Sequence, residues 1–102
     1  MNSQRIEMLK KMVSEDPEDP FYPYALALEY MHTNRSEALS ILMDVMKHYP
    51  DYLPPYYQAG LLSVESGKEE EGKVILEKGI GVAQKQNDRK TLNELRSLLD
   101  NL

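Results

Sequence analysis

Residues 19–50 read DPFYPYALALEYMHTNRSEALSILMDVMKHYP, and residues 53–84 read LPPYYQAGLLSVESGKEEEGKVILEKGIGVAQ. Slid by 33 positions, the chain matches itself. Pro17 falls on Pro50, Leu9 on Leu42, Tyr24 on Tyr57 and Leu28 on Leu61, and Ala27 falls on Gly60, small residue on small residue. Past the next turn the offset becomes 34, with Ile41 on Ile75, Leu42 on Leu76 and Ala38 on Gly72. A period of this length is the mark of stacked helical hairpins, none of which buries its apolar face without neighbours. Such stacks present a surface to something else. The expected class of function is therefore a binding scaffold.

Apolar residues recur at helical spacing almost everywhere, and no segment alternates as a half-buried strand would. Ile6, Leu9, Met12 and Val13 predict a first helix that stops before Asp16-Pro17, because the residue preceding proline is pushed out of the α region. Asp19-Pro20 predicts the start of a second, with an aspartate cap and a proline in the first turn where its missing N–H is no loss. That helix is expected to run to about His32, closed by Asn34 in left-handed geometry. A third follows over about 36–48, and Tyr49-Pro50-Asp51 ends it. Pro54-Pro55 opens a fourth, and Ser66-Gly67 stops it with a C-terminal glycine. The fifth and longest spans about 68–86. Asn87-Asp88 breaks it and caps a sixth, carrying Leu92, Leu95, Leu98, Leu99 and Leu102.

The 102 residues suit one domain of about six ordinary helices, and one continuous core is feasible at this size. The chain has no cysteine, which removes disulfides, thiolate metal sites and cysteine nucleophiles together and suits a reducing compartment. Charges at Arg5 and Glu7 and the lack of an apolar run in Met1 to Leu9 argue against a signal peptide. The longest run free of strongly polar residues, Phe21 to Leu28, is far too short to span a bilayer. Seventeen acidic against 12 basic residues give a net charge of −5. Phosphate backbones and anionic membranes are repelled, so no nucleic acid and no membrane is expected as a partner. A cytoplasmic protein is expected.

These residues resemble the tetratricopeptide repeat (TPR) family. Its unit carries a small residue and an aromatic in its first helix, a small residue opening its second, and a proline after it. Ala27, Tyr30, Ala38 and Pro50 stand at those places in a first unit over 20–52, one residue short at its inner turn. A second unit over 53–86 has Tyr56, Gly60, Gly67, Gly72 and Gly79, with Ser63 where an aromatic is usual and Gln84 where the proline is usual. Residues 1–17 look like the second helix of a truncated repeat, and 87–102 like a C-terminal capping helix. The resemblance implies an all-α fold, a right-handed superhelical array of antiparallel helix hairpins with six helices, in a single domain over 1–102.

No constellation of catalytic residues is apparent. His32 and His48 end consecutive antiparallel helices, and a helix of about 13 residues keeps its ends about 20 Å apart, so they cannot share a metal. Ser36, Ser40 and Ser63 lack a neighbouring base in any motif. Glu69-Glu70-Glu71 suits the positive N-terminus of the fifth helix rather than acid catalysis. The glycines are scattered, so no phosphate loop forms. Neither an enzyme, a metal nor a cofactor is expected.

All eight aromatics lie between Phe21 and Tyr57. The TPR resemblance puts Phe21, Tyr24, Ala25, Leu28, Tyr57, Gln58 and Leu61 on the inner, concave face. Either they form an exposed groove, or neighbouring side chains cover Tyr24 and Tyr57 as core. TPR proteins that hold an acidic C-terminus use Lys, Arg and Asn there as a carboxylate clamp. That clamp is missing, since the matching places, Pro54 included, carry no cation. The expected partner is a protein or peptide with an apolar or amphipathic segment. The competing expectation is a homo-oligomer formed through the same aromatic face.

Overall fold

Prolines, a glycine and an asparagine cut the chain into six helices in the computed structural model, which describes residues 3–102. Met1 and Asn2, the first residues of the expected half-repeat, lie outside the described residues. The helices are α1 (Ser3–Glu15), α2 (Phe21–Tyr30), α3 (Arg35–His48), α4 (Pro54–Glu65), α5 (Glu69–Gln86) and α6 (Arg89–Asp100), with no strand among the described residues. They group into two compact units, the first up to Tyr52 and the second from Leu53 to Leu102.

In the first unit α2 packs against both α1 and α3. Its N-terminus is tied by Asp19, whose Oδ1 accepts the Phe21 N–H at 2.9 Å, while Tyr24 N–H donates to the Pro20 carbonyl at 3.2 Å. Pro23 is harmless so early, because its absent N–H would have reached back only to a residue before the helix. Ile6 and Leu9 of α1 meet Ala25 and Leu26 of α2, with Tyr22, Tyr30 and Ile41 packed around them. Ala27 and Ala38 are fully buried. At the corner Tyr49 donates its hydroxyl to the Pro17 carbonyl at 2.9 Å, fastening the end of α3 to the turn after α1.

One expectation fails in this unit. Asn34 does not close α2 in left-handed geometry; its φ is −147°, and α2 stops at Tyr30 rather than near His32. The turn here is one residue short, so Asn34 serves both helices at once. Its N–H donates to the Tyr30 carbonyl at 2.7 Å, and its Oδ1 accepts the Glu37 N–H at 3.2 Å. Capping α3 demands extended backbone at that residue, which excludes the left-handed form.

In the second unit α5 packs against α4 and α6, and α6 also touches α4. Gly67 ends α4 at φ +83°, a conformation that other L-residues resist. Lys68 N–H then reaches Ser63 O at 2.8 Å and Gly67 N–H reaches Val64 O at 3.1 Å, a paired closure of the last turn. Asn87, at φ 57°, repeats this closure at the end of α5, through Asp88 N–H to Ala83 O (3.0 Å) and Asn87 N–H to Gln84 O (3.1 Å). Asp88 also begins α6, its Oδ1 accepting the Thr91 N–H at 3.0 Å. With glutamine in place of the usual proline at 84, α5 continues to Gln86.

The helices of this unit meet where side chains are missing. A Cβ on Gly60 would collide with the Leu76 side chain, 2.7 Å from its Cγ. A Cβ on Gly72 would lie 2.6 Å from Val64 Cγ2, and one on Gly79 2.7 Å from Tyr56 Cβ and 3.2 Å from Leu95 Cδ1. Gly81, on the same helix, has open space around it. Gly81→Ala should therefore stabilise the fold by about 0.8–1 kcal/mol through backbone entropy alone. Gly79→Leu should destabilise it by about 1–3 kcal/mol through overpacking. Urea denaturation of both variants checks the pair, and opposite signs would mean the phase assigned to α5 is wrong. Ser63 gives a second test: it is 1% exposed, and its Oγ has no hydrogen-bond partner. A buried hydroxyl without a partner forfeits its hydration, so Ser63→Ala should raise stability by about 0.5–1.5 kcal/mol in the same assay.

Candidate interaction surfaces

Phe21, Tyr24 and Leu28 lie three and seven residues apart on α2 and so share a face. Phe21 is 48% exposed and Leu28 36%, both unusually open for large apolar side chains. Phe21 stands edge-on to Tyr22, with ring centroids 5.7 Å apart. Tyr24 is half-buried and meets Tyr52 edge-to-face at 5.9 Å and 80°. Ala25 does not join this surface. It is only 4% exposed and sits in the core with Ile6 and Leu9, because α1 packs against that side of α2.

On α4 the corresponding residues Tyr57, Gln58 and Leu61 are all half-buried. Tyr57 forms one side of an open groove of about 380 Å³, whose remaining lining comes from Asn93, Glu94, Ser97 and Leu98 of α6 and from Asn101 just past its end. The capping role expected of α6 overlooks these residues. Their signal in the sequence is the spacing of Asn93, Ser97 and Asn101, one polar residue every four. The leucine set explains the oversight. Only Leu95 is fully buried; Leu92, Leu98, Leu99 and Leu102 stay partly open, and Leu98 turns to the groove.

Two solved structures place the chain. A crystal structure of a tetratricopeptide repeat domain protein from Salinibacter ruber is 34% identical, with a TM-score of 0.78 over 82% of this chain and 94% of that one. A solution structure of a tetratricopeptide repeat domain protein from the same organism is 36% identical, with a TM-score of 0.79 over 84% and 88%. The chain belongs to the tetratricopeptide repeat family. A solution structure of a Bordetella parapertussis protein shares the fold at 22% identity, with a TM-score of 0.81 over 99% of this chain and 88% of that one. No protein-family model and no curated protein matches the sequence.

TPR folds in general serve protein–protein interaction. His32 and His48 are exposed, and His48 Nδ1 donates to the Asp44 carbonyl at 2.8 Å, closing the last turn of α3. Among the described residues no three His, Asp or Glu side chains are grouped as metal ligands, and no helix is long and apolar enough to cross a membrane. A smaller hollow of about 220 Å³ at the α5–α6 corner is lined by Gln84, Asn87, Asp88, Arg89 and Leu92, but Asp88 is already committed to its cap.

The Tyr24–Tyr52 pair has a measurable consequence. Burial raises the Tyr52 phenol above its ordinary value of 10.0, helped by the neighbouring Tyr24 and Asp19. The folded chain thus holds this proton to higher pH than the unfolded chain. The associated stability is complete below pH 10 and is lost as pH climbs through the raised value. Tyr52→Phe should flatten this loss in denaturation curves taken between pH 9 and 11. An unchanged slope would mean that the ring is hydrated rather than packed against Tyr24.

Proposed function

We propose that this TPR chain is a non-enzymatic interaction module that binds an apolar or amphipathic peptide segment of a protein partner. The reading is carried by the stripe Phe21, Tyr24 and Leu28 on α2, where large apolar side chains stay open although the core beneath is complete. Packing needs bury the other sides of α2 but not this one. Tyr57 and Leu61 repeat the chemistry at the equivalent places of α4. Aromatic side chains of this kind anchor interfaces, because they bring large area at small entropic cost. No lysine or arginine stands among these residues, so an acidic chain terminus is a poor fit. Cofactors have no part in this chemistry.

A second copy of the chain is the alternative occupant, favoured by the open Phe21, which a homo-oligomer would cover. Sedimentation across a hundredfold range of concentration separates the two. A concentration-dependent dimer that dissociates in Phe21→Ser would favour self-association, whereas a monomer throughout would remove it. For the peptide reading, linear peptides selected by display against the purified chain serve as probes. Tyr24→Ala and Tyr57→Ala should each weaken such peptides by more than about 1 kcal/mol, roughly fivefold, with helical circular dichroism unchanged. Loss of the fold in both variants would instead make the tyrosines core and remove the support for this surface.

A further inference from the structure

Tyr24 and Tyr52 meet nearly at right angles. Their planes stand at 80° with ring centroids 5.9 Å apart, so a face of each ring forms one wall of a corner. Both side chains are half-buried, which holds the rings in place while part of each stays open to solvent. Phe21, one turn earlier on the same face of α2, is 48% exposed. The face of an aromatic ring carries partial negative charge, and a cation within about 6 Å of a ring centroid is attracted to it. With the centroids 5.9 Å apart and the planes nearly perpendicular, one cation in the angle lies within that reach of both rings.

The charge around this corner has one sign. Asp19 lies near enough for its carboxylate to help hold the Tyr52 proton. Its Oδ1 accepts the Phe21 N–H at 2.9 Å, a bond that leaves the negative charge in place. Asp16 and Glu18 precede it in the same turn, and Asp51 adjoins Tyr52. Residues 12–34 and 48–67, which supply the corner, contain no lysine or arginine. The type of cation follows from hydration. A primary ammonium has three N–H donors and is strongly hydrated, and ring faces are poor substitutes for its water. A quaternary ammonium has no N–H to leave unpaired, and its methyl groups suit aromatic walls.

We propose that Tyr24, Tyr52 and Phe21, with the Asp19 carboxylate beside them, form a site for a quaternary ammonium group, carried by a small free amine or by a trimethylated lysine side chain. Such a site goes beyond the apolar-peptide reading above. It shares Phe21 and Tyr24 with that surface but selects its ligand by charge.

Choline and 3,3-dimethylbutan-1-ol, alike in shape and different in charge, are the first probes. Binding is followed through the aromatic signals of Tyr24, Tyr52 and Phe21 in NMR spectra, Phe21 being the single phenylalanine of the chain. Choline should bind at least about fivefold tighter than the alcohol, and added salt should weaken it. Tyr24→Leu and Tyr52→Leu should each cost about threefold to tenfold, whereas Tyr24→Phe and Tyr52→Phe keep the ring and should bind as the parent chain does. Asp19→Asn removes the charge but retains a capping oxygen for Phe21, so the fold persists while choline binding falls about twofold or more. Acetylated, amidated peptides with trimethyl-lysine or plain lysine identify the source. Binding that needs the methyl groups and exceeds choline tenfold assigns the cation to a protein side chain; equal affinity assigns it to a free amine, and either result supports the site. Equal binding of choline and the alcohol, or undiminished binding by folded leucine variants, would overturn it while leaving the apolar-peptide reading intact. If the leucine variants unfold, Asp19→Asn decides, and unchanged choline affinity there would overturn the site. No ring shift with choline or the trimethyl-lysine peptide would do the same. Display-selected peptides that fail while choline binds would remove the broader reading and keep this one.

Discussion

Close approach of helices is the constraint on which the second unit depends. Three glycines stand where a single added carbon would fall 2.7 Å or less from a neighbouring side-chain atom. Gly60 admits Leu76, Gly72 admits Val64, and Gly79 admits both Tyr56 and Leu95. Gly79 does double duty, since it touches the helix before and the helix after α5. Backbone entropy weighs against glycine in a helix by about 1 kcal/mol each. The gain is a set of large, fully buried side chains, Leu62, Leu76 and Leu95 among them, that could not interdigitate at a wider spacing. The first unit solves the same problem with Ala27 and Ala38, both fully buried, and so avoids most of that entropic penalty.

Much of the fold was legible because its signals are local. Proline, glycine and asparagine act through backbone geometry within one or two residues, and a 33-residue repeat places small residues without reference to the rest of the chain. Helix limits accordingly fall close to expectation, and Gly67 and Asn87 adopt the left-handed form at the ends of α4 and α5. Asn34 was misjudged for an instructive reason. Asparagine suits both the left-handed close of one helix and the extended cap of the next, and only the length of the turn decides between them. Where a turn is one residue short, the cap of the following helix wins, since α3 would otherwise begin with unpaired N–H groups.

The surfaces were less legible, because exposure depends on what packs nearby. Ala25 and Leu28 are three residues apart, and both belong to the inner face in the TPR pattern. Yet α1 covers the first and leaves the second open. On α6 the difficulty is reversed. Its leucines announce a buried face and its asparagines resemble an ordinary hydrated one. Only the position of α4 in the same unit turns Asn93, Ser97 and Asn101 into the wall of a groove facing Tyr57.

A first helix in a repeat of this kind spends two of its sides on neighbouring helices, and the third side is only partly covered. That third side is where the sequence is least constrained by packing and most able to differ between repeats. On α2 it carries Phe21, Tyr24 and Leu28; on α4, Tyr57, Gln58 and Leu61; on α6, Asn93, Ser97 and Asn101. The side chains on this face run from apolar on α2 through mixed on α4 to polar on α6. Stability would be served better by hydrated side chains at Phe21 and Leu28, which lower the risk of aggregation at no cost to the core. Their openness, in a chain whose net charge already favours solubility, is the observation on which the proposed interaction surface rests.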